Sequence, residues 1–200
     1  DIDTNIGSLA GHVYETGDFL LQEADDLTVA NAGSGDDLTT AGSSGNLSIE
    51  TIDGDLTLTG SVYSSADNGN LVFVVPAGST SDHGIAVHNN VTSDHGSLYF
   101  SADDTFTQSA DADLTASGTA AGADITVEAG GAITMTDGAV TFANGGNIRY
   151  TSNESVAVGK ITTFNPTTSN QGSVYIRAVN NGITDAGDTG GEDIYAGGLI

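Results

Sequence analysis

The chain has 200 residues, of which 27 are acidic and only 3 basic, giving a net charge of −24 with no cysteine. Nucleic acid, anionic membranes and polyanionic substrates are poor partners for such a chain, because holding them draws on clustered Lys and Arg. The absence of cysteine excludes disulfides, a thiol nucleophile and Cys-based metal centres, and no stretch reaches the roughly 20 apolar residues of a membrane span.

A phrase of the form Gly-polar-apolar-x-apolar opens at Gly17 and returns at Gly45, Gly69, Gly96, Gly122, Gly146 and Gly172. The steps are 28, 24, 27, 26, 24 and 26 residues, a stride that marks a repeat architecture. Within each phrase the alternation sends one pair inward, as with Leu47 and Ile49 or Leu98 and Phe100. The middle slot is outward and free: Leu20, Ser48, Val72, Tyr99, Arg149, Tyr175. At Gly122 one extra residue, with Asp124 before Ile125, predicts a bulge or a register slip at a corner.

A second segment follows in the stride at Leu27–Val29, Leu56–Leu58, Ile85–Val87, Ile133–Met135 and Val156–Val158. A third lies near Leu38, Val62, Val91, Leu114, Val140-Thr-Phe142 and Ile161. Two or three strands per stride predict an all-β fold, a parallel β-helix (β-solenoid) of about seven coils of 24–28 residues. At about 4.8 Å per coil the rod is roughly 34 Å long. The 28 glycines and many Asn, Asp and Ser residues suit its corners. A sandwich of short strands also gives even turn spacing, but does not require the same phrase in every stride. The expected organisation is a single solenoid domain over residues 1–200, a segment of a longer protein or a unit of a filament.

Two sets of residues are candidate metal ligands. Thr80-Ser81-Asp82-His83-Gly84 is duplicated as Thr92-Ser93-Asp94-His95-Gly96, 12 residues on. Asp82, His83, Asp94 and His95 offer imidazole and carboxylate to a divalent metal. Half a stride separates the copies, which suits paired corners equally. The Asp pairs Asp25-Asp26, Asp36-Asp37 and Asp103-Asp104 offer hard oxygens to calcium, the one cofactor that the sequence suggests; the same pairs make solvated turns. No nonapeptide calcium repeat and no EF-hand loop is present.

Enzyme signatures are weak. No Gly-x-Ser-x-Gly elbow surrounds a serine, and no feature selects two carboxylates for glycoside hydrolysis. Thr57 and Thr59, Thr105 and Thr107, and Thr134 and Thr136 flank single apolar residues, as in ice-binding solenoids, but the pairs do not recur coil by coil. Tyr99 and Tyr175 are outward and could stack on neutral sugars.

The phrases Gly45-Asn-Leu-Ser-Ile, Gly54-Asp-Leu-Thr-Leu and Gly146-Asn-Ile-Arg-Tyr resemble the repeats of filamentous-haemagglutinin-type adhesins, giant bacterial exoproteins, over about residues 17–183. The amino-terminal secretion domain of that family is not recognisable in the chain. The resemblance implies a right-handed parallel β-helix and a non-enzymatic, extracellular, cell-surface role in adhesion, as a stalk or filament. It carries over no catalytic residue. Expected partners are flanking coils or end-to-end copies, neutral glycans, and host or cell-surface proteins. The alternatives are a polysaccharide-acting β-helix enzyme and a carbohydrate- or ice-binding module.

Overall fold

The computed structural model describes residues 3–4, 6–14, 16–31, 37–42, 44–78, 82–118, 123–165, 171–187 and 191–199. These residues contain strands and no helix. The strands form three sheets, and neighbours within each sheet come from successive coils and run parallel.

The first sheet has nine strands: Asp3–Thr4, Phe19–Glu23, Leu47–Thr51, Leu71–Val75, Leu98–Ala102, Ile125–Ala129, Ile148–Ser152, Ser173–Ala178 and Gly198–Leu199. The second has eight: Ser8–Leu9, Leu27–Val29, Leu56–Leu58, Ile85–Val87, Phe106–Gln108, Ile133–Met135, Ser155–Val158 and Gly182–Asp185. The third also has eight: Gly11–Val13, Leu38–Thr40, Val62–Ser64, Val91–Ser93, Leu114–Ala116, Val140–Ala143, Lys160–Thr162 and Ile194–Tyr195. The predicted parallel β-helix is therefore the fold, and each of the seven phrases leads into a strand of the first sheet.

Stacking turns the repeated phrase into columns. Leu21, Ile49, Phe73, Phe100, Val127, Tyr150 and Ile176 are register partners in turn, and all face inward. Phe73 stacks on Phe100 with ring centroids 5.0 Å apart, and Phe100 meets Phe106 edge-on at 5.3 Å. Each such side chain contributes about 1.5–3 kcal/mol by leaving water. The buried apolar residues make one continuous cluster along the rod. At the last rung of the second sheet, Ile183 holds the inward position below which Val156 is buried, yet it is 53% exposed.

The frame at Gly122 needs correction. Gly122 lies outside the described residues, and Ala123 takes the place that glycine has in the other phrases. Asp124 then leads directly into Ile125, which pairs in register with Leu98 and Ile148. The strand carries neither bulge nor slip.

Two further departures share a cause. Phe106–Gln108, which has no place among the second segments read from sequence, is a strand of the second sheet. In the third sheet Thr141, not Val140 or Phe142, pairs with the buried Leu114. Thr141 and Ala143 are buried, and Val140 and Phe142 are only half-buried. The reason is a polar cluster inside the rod. Gln108 is fully buried and its Nε2 donates to the carbonyls of Ala112 at 2.6 Å and Val140 at 3.0 Å. The Thr141 hydroxyl lies 3.2 Å from Gln108 Oε1 and 2.7 Å from the Tyr150 hydroxyl. Burial pushes the Tyr150 hydroxyl far above its ordinary pKa, and the bond to Thr141 offsets little of this. Apolar periodicity misses both segments because buried polar groups that satisfy one another are tolerated in the core.

Candidate functional site

The corners account for most of the side chains with chemical potential. The polar residue just before each strand of the first sheet belongs to a continuous ladder. Asp18 Oδ1 accepts the backbone N–H of Asn46 at 2.8 Å, and Asn46 Oδ1 accepts that of Asn70 at 3.1 Å. Asn70 Oδ1 accepts from Ser97 at 2.8 Å, Ser97 Oγ from Asp124 at 3.0 Å, Asp124 Oδ1 from Asn147 at 2.6 Å, and Asn147 Oδ1 from Ser173 at 3.0 Å. Each side chain satisfies a donor that the strand ladder leaves open, one coil along. Glycine precedes most of these residues because the backbones nearly touch. A Cβ on Gly45 or Gly96 would strike the carbonyl of Gly17 or Gly69, and Gly45 also has φ +152°.

The candidate metal ligands fall on these corners. Asp26 Oδ1 accepts the N–H of Asp55 at 2.8 Å, and Asp55 Oδ1 accepts that of Gly84 at 2.7 Å. Asp37 is buried, and its Oδ2 accepts the N–H of Ser61 at 3.0 Å. Asp25 shares the Asp26 corner; Asp36, Thr80 and Ser81 lie outside the described residues.

His83 stands at the corner before the second sheet and His95 at the corner before the first, so the two histidines of the duplication occupy different corners. His83 Nε2 is 3.4 Å from Asp53 Oδ1 and its Nδ1 is 3.9 Å from Asp55 Oδ1. His95 Nε2 is 3.9 Å from Asp67 Oδ1, and Asp94 accepts a hydrogen bond from the Tyr63 hydroxyl. Asp82 has φ +104°, a turn conformation that aspartate tolerates. The Asp104 carboxyl is raised above its ordinary value, first by partial burial and then by Asp82, Asp103 and Asp55. Among the described residues no group of three or more His, Cys, Asp or Glu side chains is arranged to hold a metal ion. Asp53 and Asp55 were not singled out from sequence, although the Asp-Gly-Asp run at this corner was a usable signal.

Two outward faces remain. The outer column of the second sheet is Thr28, Thr57, Ala86, Thr107, Thr134, Ala157 and Thr184, each the register partner of the next. Stacking thus brings Thr57, Thr107 and Thr134 into one column, although their pairs look unrelated along the sequence. Every member of the column is uncharged.

The outer face of the first sheet is different. Tyr99, Thr126, Arg149 and Tyr175 follow one another in register, and Glu128, Thr151 and Arg177 run alongside. The Tyr99 hydroxyl donates to Glu128 Oε2 at 3.1 Å, and Glu128 Oε1 is 3.7 Å from Arg149 Nη2. The Arg149 guanidinium lies over the Tyr175 ring, 5.7 Å from its centroid. Burial leads the causes that raise the Tyr99 pKa, and the nearby Glu128 carboxylate adds to it. Thr126, Glu128 and Thr151 are the members of this cluster that sequence reading did not name.

No protein-family model, no curated protein and no solved structure matches the chain. Fold and surface chemistry therefore carry the functional argument.

Proposed function

We propose that the chain is a non-enzymatic, extracellular structural and adhesive β-solenoid, a stalk or filament element on a bacterial cell surface of the filamentous-haemagglutinin type. One observation carries this reading. The polar side chains at the corners bond to the backbone of the neighbouring coil, through a seven-residue ladder from Asp18 to Ser173. Side chains in that role stiffen a rod and are not free for general acid–base work. Rigid reach is then the mechanism: stacked coils hold an outer face away from the envelope. Exposed Ile183 at the end of an inward column is covered by a further coil or by a second copy. In this reading the rod works without a cofactor.

The test pairs a binding assay with a depolymerisation assay on the same glycan-coated surface. Retention of the protein with the glycan left intact supports the adhesive reading. Release of shortened glycan chains replaces it with the polysaccharide-acting enzyme.

The Thr/Ala column favours a second reading, a face that orders water as an ice-binding module does. Its hydroxyls stand one or two strand spacings of about 4.8 Å apart, with Ala86 and Ala157 as the gaps. Thermal hysteresis that disappears in Thr107→Lys is the outcome expected of that reading, and its absence from the parent protein removes it.

A further inference from the structure

We propose that the outer face of the first sheet binds a carboxylated sugar, with Tyr175 as platform and Arg149 and Arg177 as the carboxylate clamp. This rests on the adhesive reading and fixes the ligand class of that face. The chain has only 3 basic residues, and two of them stand here in adjacent coils. Arg149 pairs with Tyr175 and Thr151 with Arg177, so the two arginines are diagonal neighbours across the sheet with Tyr175 at the angle between them. Diagonal positions of this kind lie about 7–8 Å apart, within reach of two long side chains closing on one group.

The surroundings prepare the site. Glu128 is held by the Tyr99 hydroxyl and sits 3.7 Å from Arg149 Nη2. Arg149 Nε donates to Thr151 Oγ1 at 3.2 Å, which fixes the guanidinium against the Tyr175 ring. Arg177 is exposed. Two guanidinium groups against one carboxylate leave a local positive charge on a rod of net charge −24.

That contrast selects the ligand. A polyanion is repelled by the acids along the rest of the rod, and the repulsion grows with each charge it carries. A single carboxylate meets the guanidinium fork with little of that cost. Arg149 lies over one face of the tyrosine ring, and the opposite face gives the C–H face of a sugar its apolar platform, with a hydroxyl at the ring edge for hydrogen bonding. Carboxylate and sugar ring on one residue satisfy both features.

The experiment titrates the 200-residue protein with methyl glucuronide, methyl glucoside and acetate at low salt, followed by isothermal calorimetry and by NMR of the tyrosine rings. The expected result is glucuronide binding at least tenfold tighter than either other ligand, with ring shifts centred on Tyr175. Arg177→Gln, an exposed substitution, weakens the glucuronide at least tenfold and leaves the melting temperature unchanged. Equal affinity for glucuronide and glucoside, or unchanged affinity in Arg177→Gln, overturns the clamp while leaving the adhesive reading in place. If none of the three ligands binds, and the protein is also not retained on glycan surfaces, both are overturned.

Discussion

Thr141→Val separates the two ways of orienting the third-sheet strand Val140–Ala143. The substitution keeps the shape of the side chain and removes only the hydroxyl. Inside the rod that hydroxyl serves the Tyr150 hydroxyl at 2.7 Å and Gln108 Oε1 at 3.2 Å, and all three residues are fully buried. A buried polar group left without a partner costs about 1–3 kcal/mol. Two are orphaned, while Gln108 Nε2 keeps its two carbonyls. The loss of unfolding free energy is therefore about 2–4 kcal/mol, since neighbouring orphans relax together. Tyr150→Phe alone costs about 1 kcal/mol, because Thr141 retains Gln108. The double variant restores part of the loss, with a coupling of about 0.5–3 kcal/mol. Urea unfolding at constant slope reads these values. Should Val140 and Phe142 point inward instead, Thr141→Val is neutral or stabilising and Phe142→Ala costs the roughly 3–5 kcal/mol of a core phenylalanine. That pattern refutes the orientation and the polar cluster together.

Other outcomes follow from the same structure. Asn70→Ala breaks the corner ladder at its acceptor for Ser97 N–H and at its Nδ2 bond to Asn46, and costs about 1–2 kcal/mol by denaturation. Phe100→Ala empties the centre of the aromatic column and costs about 3–5 kcal/mol, with hydrogen exchange speeding first in the flanking coils. Asp104→Asn stabilises at neutral pH by a few tenths of a kcal/mol, on the order of a surface substitution, because the folded chain holds this carboxyl above its ordinary value. The gain fades on acidification, as Asp104 becomes protonated in both folded and unfolded chains. Tyr150 has the same sign at the alkaline end. Its folded pKa is raised, so its contribution is intact below the ordinary value of about 10 and is lost as pH rises above it. Tyr150→Phe flattens that alkaline loss in thermal melts.

The strands were legible where large apolar residues alternate. Leu47 and Ile49, or Leu98 and Phe100, point inward by period two alone, and their recurrence every 24–28 residues implies stacked coils. Reading failed where a polar residue is inward. Gln108 hid one strand, and Thr141 reversed the apparent faces of another, because their partners lie in other coils. The corner ladders were hidden for a related reason. Asp18 and Asn46 are 28 residues apart, and only stacking makes one the acceptor for the other. The Thr column was discounted on sequence because the pairs do not recur coil by coil; the register aligns Thr107, the second of its pair, with Thr57, the first of its pair, through Ala86. The arginines were visible as residues but not as a site, since only the strand register makes Arg149 and Arg177 diagonal neighbours.

Paired spin labels on the Thr/Ala column test the stacked solenoid most directly, and the lack of native cysteine makes the labelling clean. Thr28 and Thr107 are three strands apart in register, and Thr28 and Thr184 are six. At about 4.8 Å per strand the backbone separations are ~14 Å and ~29 Å, so the second distance is twice the first. Narrow distributions that keep that ratio are the predicted result. Distances that do not grow with coil number contradict the stacking on which the ladders, the outward columns and the sugar site all depend.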